Sequence, residues 1–567
     1  TFMAKNRWDR EVDLLVAGAG PGGMTAGLVA ALEGLDVLIC EKSEQVGGTG
    51  ATSAGTLWIP NNTQSRDAGY SDNADDAAAY LDALIVDGGA DARRTTFLAD
   101  GPRVIDDLVA RTELSFLACG PHPDYRSNLP GAAIAGRAII PEVFDGRLLD
   151  RDFVRIRPPI NEFMLLGGMM VAKNDVVRLL GRWQNVGNFT HTVRLVLRYF
   201  IDRLKYARGT RLVMGNALIG RLFYSLKQNS VPIHFGAALD DLLMSEGRIA
   251  GAMLKTKDGI LRVRTRRGVV LATGGFAHNQ AMRETYMPVP VPLHSMAVAE
   301  NTGDGLAAGK RVGAALDPPT DRHGGLWTPV SRVPRNDGTQ GLYPHIILDR
   351  AKPGLIAVNA EGRRFVNEAV SYHDFVEGMF LAHKSSPSIP CQLICDAQFI
   401  RKYGLGSIHP GTTDLTKFVR NGYIRTAPTL QALASAINTD AQVLTETIVR
   451  HNNFAVEGSD PDFGKGDTDL NRFNGDPDCR PNPCLGPIET QPFVALEIWP
   501  AELACSTGLA TDADARVLDK ESTPIPGLYA CGNDMDSIMA GTYPGPGTTL
   551  GPALVFAHRA AMHAAKQ

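Results

Sequence analysis

Four residues near the start of the chain have types and a spacing that suit the binding of a dinucleotide. Gly18, Gly20 and Gly23 fill the positions of a G-x-G-x-x-G pattern, and Glu41 follows 23 residues after the first glycine. Glycines let the chain turn sharply and bring backbone N–H groups against a pyrophosphate. We expect the Glu41 carboxylate to accept hydrogen bonds from the ribose hydroxyls of an adenosine. The pattern therefore predicts a site for the pyrophosphate and ribose of a dinucleotide.

A second group with chemical potential is the segment GTYPGPGTTLGPA at residues 541–553. It holds three prolines and four glycines in thirteen residues. That density of helix and strand breakers predicts a built loop. The loop holds a single phenol, that of Tyr543, just before the last predicted helix.

The elements around the first glycines are those that a dinucleotide site needs. Residues 12–17 predict a short buried strand, residues 24–32 a tightly packed Ala-rich helix, and residues 35–40 a second strand that ends at Glu41. The helix N-terminus presents unpaired N–H groups and a positive dipole end to the pyrophosphate. A strand, a helix, a second strand and an acidic residue in this order are more specific evidence for a dinucleotide site than the glycines alone.

Further segments indicate that the dinucleotide is FAD. Residues 47–49 and 54–55 follow the acid, residues 267–275 form a strand that ends in Ala-Thr-Gly-Gly, and residues 524–533 form a strand that ends in Gly-Asn. Each resembles a segment that approaches FAD in flavoproteins of the two-dinucleotide-binding type. No second G-x-G-x-x-G follows a predicted strand, so we expect no built-in NAD(P) site and an external electron acceptor. The candidate cofactor-binding residues are Gly18, Gly20, Gly22, Gly23, Glu41, Lys42, Gly47, Gly48, Thr49, Ala54, Gly55, Ala272, Thr273, Gly274, Gly532, Asn533, Thr549 and Leu550.

Composition narrows the function classes. The 567 residues are 44% hydrophobic and 21% charged, which is typical of a globular protein with a large core, and the net charge of -4 gives no reason to expect nucleic acid. The eight cysteines are scattered without the spacing of zinc sites, so we expect free thiols and no metal. No segment reaches the roughly 20 apolar residues of a membrane span. The N-terminus lacks an apolar signal core, so we expect a reducing, cytoplasmic setting.

The positions of the cofactor motifs predict the domain organisation. They lie at 12–60, 267–275 and 524–533, so a large segment is inserted between the second and the third. We therefore predict an α/β fold: a discontinuous Rossmann-like FAD-binding domain at 1–291 and 491–567, with an inserted α+β substrate (cap) domain at 292–490.

The segment 190–212 is basic and has apolar residues at helical spacing. Its basic residues are Arg194, Arg198, Arg203, Lys205, Arg208 and Arg211. Such a helix either lies on a membrane surface, which would suit a lipophilic substrate, or packs its apolar stripe on the core. The sequence favours packing, and membrane contact remains the alternative.

The chain resembles the flavoprotein family of fumarate reductases and 3-ketosteroid dehydrogenases. Within that family it resembles the 3-ketosteroid Δ1-dehydrogenase branch. The resemblance covers nearly the full length. It rests on the FAD fingerprint, GTLWIPNN at 55–62, NTGDG at 301–305, VNAEGRRFVNE at 358–368 and YPGPG at 543–547. In fumarate reductases the last position holds an Asn-Arg-Leu-Gly-Gly-type sequence whose arginine binds a dicarboxylate.

The resemblance implies catalytic roles for four residues. The hydroxyl of Tyr543 and the N–H of Gly547 would hydrogen-bond the substrate ketone and stabilise its enolate. Tyr343 would remove the α-proton, aided by Tyr125, which lies in the segment Asp-Tyr-Arg-Ser-Asn-Leu-Pro-Gly. The β-carbon would lose a hydride to the flavin N5.

Three hypotheses for function follow. The leading one is FAD-dependent desaturation of a saturated cyclic ketone, with a 3-ketosteroid as the family default and a small ring such as cyclohexanone as the alternative. A second is a fumarate-reductase-like ene reductase, but it needs a cationic clamp for a carboxylate, which the YPGPG loop lacks. A third is an electron-transfer flavoprotein in which Tyr543 is dispensable.

Overall fold

The chain is organised around two β-sheets, and a computed structural model describes residues 8–86, 89–316 and 324–567. The strands of this part of the chain are β1 Arg10–Ala17, β2 Val37–Glu41, β3 Leu57–Trp58, β4 Phe116–Ala118, β5 Ala138–Pro141, β6 Phe144–Asp145, β7 Met164–Leu165, β8 Met169–Met170, β9 Arg211–Leu212, β10 Ile233–Phe235, β11 Ala238–Ser245, β12 Arg248–Thr256, β13 Gly259–Leu271, β14 His294–Ser295, β15 Gly325–Pro334, β16 Gln340–Pro344, β17 Ile356–Val358, β18 Cys391–Asp396, β19 Arg425–Ala427, β20 Phe493–Cys505, β21 Arg516–Leu518 and β22 Pro524–Ala530.

Helices cover and connect these strands. They are α1 Pro21–Leu32, α2 Gly48–Thr52, α3 Thr63–Asp67, α4 Ala74–Leu84, α5 Ala92–Arg111, α6 Lys173–Leu180, α7 Val186–Asp202, α8 Met214–Gln228, α9 Gln280–Tyr286, α10 Asp304–Arg311, α11 Tyr372–His383, α12 Ala397–Tyr403, α13 Thr416–Arg420, α14 Leu430–Ala436, α15 Ala441–Glu457, α16 Asp469–Asn474 and α17 Leu550–Lys566. Short 3-10 helices span Gly146–Arg155, Asn161–Phe163 and Gly532–Asp534.

The first sheet has the order β10-β2-β1-β13-β12-β11, with β22 beside β13 and β21 beside β22. The strands β10, β2, β1, β13 and β22 run parallel, while β11, β12 and β13 form an antiparallel meander. Leu14, Leu15 and Val16 of β1 are fully buried, as expected for a parallel strand covered on both faces. The strand, helix and strand predicted around the first glycines are confirmed as β1, α1 and β2.

Helix α1 packs closely on the sheet because small residues line it. An added Cβ on Gly27 would lie 2.7 Å from the Cδ1 atom of Ile39 in β2. The helix starts at Pro21 with Gly20 as its N-cap, so its N-terminus is fixed directly after β1. The last helix, α17, packs against α1.

The carboxyl ends of four parallel strands meet at one edge of the first sheet. β1 ends at Ala17, β2 at Glu41, β13 at Leu271 and β22 at Ala530. The glycine fingerprint, the Ala-Thr-Gly-Gly turn and the Gly-Asn turn each follow one of these ends, and Glu41 is the last residue of β2. In open parallel sheets ligands bind outside this edge.

The second sheet has the order β16-β15-β20-β18-β17, and β14 and β19 also pair with β20. β20, at Phe493–Cys505, is its central strand, so the chain leaves this sheet only after Cys505. The predicted boundary at 490/491 therefore precedes a strand of the second sheet. The fold is mixed α/β, and its division into two domains stays a prediction.

Helix α7 exposes the apolar face that the sequence analysis expected to be buried. Val193, Leu197, Phe200 and Ile201 are 45–58% exposed, whereas Leu195 is buried. The prediction that this apolar stripe packs on the core is therefore wrong, because helical spacing tells which residues share a face but not which face is covered. Among the described residues, no helix is long and apolar enough to cross a membrane. All eight cysteines are free, as predicted.

Candidate active site

A cavity of about 450 Å³ extends from the carboxyl edge of the first sheet to β20 of the second. Sixteen of the eighteen predicted cofactor-binding residues line it. The two exceptions, Gly23 and Gly47, lie just behind the wall. An added Cβ on Gly23 would lie 1.9 Å from the carbonyl oxygen of Gly18, so Gly23 shapes the turn.

The glycines that line this cavity leave room for a ligand backbone. An added Cβ on Gly20 or on Gly532 would meet no protein atom within 4 Å, and one on Gly48 would meet only the Cα atom of Gly20, at 3.9 Å. A side chain there would project into the cavity, where the N-terminus of α1 also points. We call this part, around Gly20, Gly48 and Glu41, the cofactor end. It fits a pyrophosphate, which needs close backbone N–H groups and a helix N-terminus.

Glu41 is oriented by the backbone around it. Its Oε2 atom accepts a hydrogen bond from Ala19 N–H at 2.8 Å, and its Oε1 atom accepts one from Ser43 N–H at 2.8 Å. Burial raises the pKa of the carboxyl, and these two hydrogen bonds oppose the rise. Glu41 lines the cavity, and its carboxylate has further lone pairs that suit ribose hydroxyls.

Asp534 is buried behind residues that line the cavity, and sequence reasoning missed it. Its buried carboxylate accepts hydrogen bonds from Thr273 N–H at 2.6 Å and Gly275 N–H at 3.0 Å. It thereby joins the turn after β13 to the turn after β22. Burial raises its pKa to about 6. The only sequence signal is its position directly after the Gly532-Asn533 pair.

The opposite end of the cavity is formed by three phenols, those of Tyr125, Tyr372 and Tyr543, together with Gly547; we call it the aromatic end. The ring centroids of the three tyrosines lie 5.2–5.5 Å apart. The Tyr125 hydroxyl donates to the Tyr372 hydroxyl at 3.0 Å. Three phenols from segments that are far apart in the sequence therefore lie together at this end of the cavity.

The loops that carry Tyr125 and Tyr543 are bound to each other. The carbonyl oxygen of Pro544 accepts hydrogen bonds from Tyr125 N–H at 2.8 Å and from the Tyr80 hydroxyl at 2.6 Å. Beside them, the buried Asp124 carboxylate accepts from Trp58 Nε1 at 2.8 Å and from Arg137 at 2.7 Å. These bonds hold both phenols in place, and neither Tyr80 nor Arg137 was predicted from the sequence.

Gly547 has a backbone conformation and surroundings that only glycine fits without strain. Its φ of +91° is in the left-handed region, and an added Cβ would lie 2.5 Å from the carbonyl oxygen of Thr56 and from Trp58 N. Its own carbonyl accepts from Trp58 and Gly551, whereas its N–H has no hydrogen-bond acceptor within the part of the chain that the structure describes. The N–H is therefore available to a ligand in the cavity.

Tyr343, the predicted base, stands apart from this group. Its ring is buried against Phe163 and His345, with centroid distances of 5.9 and 5.2 Å. Tyr343 does not line the cavity, whereas Phe163 and Pro344, the residue after Tyr343, do. Tyr372 is the third tyrosine that lines the cavity, and sequence reasoning missed it. The available signal was its place four residues after the VNAEGRRFVNE segment, at the start of α11.

Burial governs the protonation of the three phenols. It raises the pKa of Tyr125, Tyr372 and Tyr543 well above that of a free tyrosine. At neutral pH each is therefore a hydrogen-bond donor unless a neighbour favours its anion.

The charged side chains that line the cavity lie at the cofactor end. They are Glu41, Lys42, Arg157, Glu300 and Asp304. The two cations are already paired: Lys42 with Asp304 at 3.0 Å and Arg157 with Glu300 at 3.1 Å. Among the described residues that line the aromatic end, none is an arginine or a lysine.

Comparisons with known proteins agree with this geometry. The FAD binding domain family matches residues 13–550. The chain is 34% identical to the 3-oxosteroid 1-dehydrogenase of Mycolicibacterium smegmatis, over 98% of this chain and 97% of that one. It is 35% identical to the 4-oxocyclohex-2-ene-1-carboxylate 5-dehydrogenase of Sinomonas cyclohexanicum, over 98% and 94%. It is also similar to the structure of 3-ketosteroid delta1-dehydrogenase from Sterolibacterium denitrificans in complex with 1,4-androstadiene-3,17-dione, with a TM-score of 0.90, 34% identity and coverage of 98% and 100%. The prediction of FAD as cofactor is confirmed.

The glycines of the fingerprint provide a matched test of the cofactor end. Gly20→Ala places a methyl group in the cavity without a clash with the protein, so we expect FAD affinity to fall at least about tenfold, or about 1.4 kcal/mol, while the apoprotein unfolds at the same urea concentration. Gly23→Ala instead overlaps the Gly18 carbonyl oxygen, so we expect it to destabilise the apoprotein by about 1–3 kcal/mol. Flavin absorbance after gel filtration and urea unfolding measure the two effects. Full FAD affinity in Gly20→Ala would place the pyrophosphate elsewhere.

Proposed function

We propose that this chain, which belongs to the FAD binding domain family, catalyses the FAD-dependent α,β-dehydrogenation of an uncharged cyclic ketone of the 3-ketosteroid class. The observation that carries the proposal is the aromatic end of the cavity, where three phenols and the N–H of Gly547 meet with no lysine or arginine among the described residues that line it. A ketone oxygen needs such donors as it gains charge. The similarity to 3-oxosteroid 1-dehydrogenases over nearly the whole chain supports the same reaction.

The first step is binding of the ketone oxygen. The hydroxyl of Tyr543 and the N–H of Gly547 donate to it, and both donors are fixed before the substrate arrives. The raised pKa of Tyr543, which follows from its burial, keeps this phenol protonated and therefore a donor. Preorganised donors of this kind stabilise the enolate more than the ketone.

The second step is removal of the α-proton. We assign it to Tyr372, with Tyr125 as its hydrogen-bond partner, because these two share a 3.0 Å hydrogen bond in contact with Tyr543. Tyr343, which the sequence suggested, lies behind the cavity wall. FAD, when bound, supplies the acceptor for the hydride of the β-carbon.

The charges of the cavity favour a neutral substrate over a carboxylate. The Sinomonas relative is named for a 4-oxocyclohexenecarboxylate, whose carboxylate would need a cationic partner when buried. Both cations that line this cavity are paired with carboxylates of the chain, and both lie at the cofactor end. Around the three phenols the lining is apolar instead and includes Phe163, Ile346, Ile347, Phe473 and Leu503.

We also propose the arrangement of the domains. The first sheet and its helices would form a discontinuous FAD-binding domain, and the second sheet would form the substrate cap. The pairing of β20 with β15 and β18 supports a second boundary after Cys505 rather than at 490.

A further proposal concerns the surface around α6 and α7, which we assign to contact with an anionic lipid bilayer. Its exposed apolar side chains are Val177, Leu180, Trp183, Val186, Phe189, Val193, Leu197, Phe200, Ile201 and Leu204. Arg178, Arg182, Arg194, Arg203 and Lys205 are exposed among them. Tyr199 of α7 donates to the carbonyl of Leu166, in a hairpin that starts one residue after the cavity residue Phe163. A lipophilic ketone would therefore reach the cavity from the bilayer side.

The substrate class is tested by mixing the oxidised holoenzyme anaerobically with a 3-ketosteroid, with cyclohexanone and with 4-oxocyclohexanecarboxylate. We expect rapid loss of flavin absorbance with the steroid and little or none with the carboxylate, because no cation is available at the aromatic end. Faster reduction by the carboxylate would contradict the neutral substrate, faster reduction by cyclohexanone would limit the site to small rings, and no reduction by any of the three would reject the dehydrogenase.

The tyrosine roles are tested with three phenylalanine variants. Tyr543→Phe and Tyr372→Phe should each lower kcat by roughly 10²–10³ with FAD still bound, because Tyr543 stabilises the enolate more than the ketone and Tyr372 accepts the α-proton. Tyr343→Phe is the matched control: it removes an equally buried hydroxyl, and we expect less than a tenfold loss, as is usual for one neutral hydrogen bond of about 1 kcal/mol. A large loss in Tyr343→Phe with a small loss in Tyr372→Phe would return the base to Tyr343.

Lipid contact is tested by sedimentation with vesicles that contain anionic phospholipid. Phe200→Asp should weaken binding at least about tenfold, because burial of a phenylalanine side chain contributes about 1.5–3 kcal/mol, and high salt should weaken binding of the unchanged protein. Val456→Asp, at an 81% exposed apolar site on α15, is the control. Equal binding of both variants, or no binding of the unchanged protein, would contradict the proposal.

A further inference from the structure

Arg350 lies buried behind the wall of the aromatic end and is held by backbone carbonyls. It is 3% exposed. Its guanidinium donates hydrogen bonds to the carbonyl oxygens of His345 at 2.7 Å, Ile346 at 3.0 Å, Glu368 at 2.8 Å and Val370 at 3.0 Å. Four carbonyls from two separate segments therefore fix the position of one positive charge.

The carboxylates nearest in sequence to these contacts have other partners. Asp349 accepts from His345 Nδ1 at 2.6 Å and from Gly406 N–H at 3.1 Å. The carboxylate of Glu368 pairs with Arg364 at 2.7 Å. Within the described residues, Arg350 makes no ion pair at contact distance. The guanidinium therefore contacts carbonyl dipoles rather than a carboxylate, and the nearby charges of Asp349 and Glu368 offset only part of its field.

The two segments held by Arg350 are those that bring Tyr372 and Ile346 to the cavity. Val370 precedes Tyr372 by two residues, and Ile346 lines the cavity. The guanidinium also lies over the ring of Phe375, 5.1 Å from the ring centroid. Phe375 is one helical turn after Tyr372 on α11. The Arg350 guanidinium thus contacts the first turn of α11, which carries Tyr372.

The field of this charge reaches two of the three phenols. Burial raises the pKa of Tyr125 and of Tyr372, and the positive charge of Arg350 opposes the rise in both. The donor role of Tyr543 needs a proton, whereas the base role of the Tyr125–Tyr372 pair needs its loss. The position of Arg350 favours that division of roles.

We propose that Arg350 is a positioning residue whose fixed charge favours the anion of the Tyr125–Tyr372 pair, so that the pair accepts the α-proton of the substrate while Tyr543 remains a donor. In that step a C–H bond breaks and a phenol O–H bond forms. The proposal rests on the proposed function for the identity of the reaction, but the acidity of the pair is measurable without a substrate.

Other ionisable groups surround the pair and enter its titration. They are Tyr543 and Cys119, which act on Tyr125, His122, whose ring lies 6.1 Å from that of Tyr125, His373, whose ring lies 5.6 Å from that of Tyr543, and Asp349 and Glu368, which act on Arg350. All six are present in every Arg350 and Arg208 variant compared below, so the direct effects of Tyr543, Cys119, His122 and His373 on the pair are common to them. Asp349 and Glu368 lose the neighbouring cation at position 350 in Arg350→Met but keep one there in Arg350→Lys, so the second variant separates loss of the charge from loss of the guanidinium contacts.

The test compares Arg350→Met, Arg350→Lys and Arg208→Met as holoenzymes. Arg208 is a matched control: it too is buried, burial also lowers its pKa to about 10, and its guanidinium stacks over Phe153 and donates to Asn216 of α8. Tyrosinate absorbance is titrated against pH, and the signal of the pair is isolated by subtraction of the same titration of Tyr372→Phe. The pH dependence of kcat is measured in parallel.

Loss of the cation disfavours the phenolate, so Arg350→Met should raise the apparent pKa of the pair by about one unit or more. The rise of kcat with pH should move upward by the same amount, Arg350→Lys should move it less, and Arg208→Met should leave it unchanged. A lower kcat with an unmoved pH profile and an unmoved tyrosinate titration would show a purely structural role and overturn the proposal. A shifted titration in a protein that reduces no ketone would uphold Arg350 and reject the proposed function instead.

Discussion

The aromatic end of the cavity depends on one backbone carbonyl, that of Pro544. Through it, the N–H of Tyr125 and the hydroxyl of Tyr80 bind the loop that carries Tyr543. The prolines of that loop restrict its backbone, and the carbonyl then ties it to a segment more than 400 residues earlier. The separation of the two backbone segments that carry these phenols is thus set by a main-chain hydrogen bond, which a change of rotamer does not alter. The donors that we propose for the oxyanion are therefore held in place before a substrate binds.

Burial is the common cause behind the properties of the site. It raises the pKa of the three phenols, and it also raises the pKa of Asp124 and of Asp534 to about 6. For a donor such as Tyr543 this is useful, because the proton stays on the oxygen. For a base it is an obstacle, which a fixed neighbouring charge must offset. One low-dielectric cavity can hold both roles only if such a charge acts on one phenol more than on another.

Sequence patterns within a few residues correctly predicted the parts of the site that are formed by continuous segments of the chain. The turn from β1 to α1, Glu41 and the turns after β13 and β22 all line the cavity, because strand ends and glycines determine each of them within a few residues. Tyr372 was missed because its partner Tyr125 is 247 residues away and no local spacing joins them. The orientation of α7 was wrong because periodicity does not tell which face is covered. The place of β20 in the second sheet likewise depends on long-range pairing.

The distribution of charge around the cavity fits a neutral phenol, that of Tyr543, in the loop before the last helix. A cation in contact with the substrate would bind an anionic ligand in its ground state and in its transition state alike, which does not lower the barrier. Neutral donors gain strength as the ketone oxygen becomes negative, so their stabilisation is concentrated in the transition state. The cations that line the cavity are neutralised by Glu300 and Asp304 at the cofactor end. Arg350 stands behind the wall, where its charge acts on the phenols and does not contact the substrate.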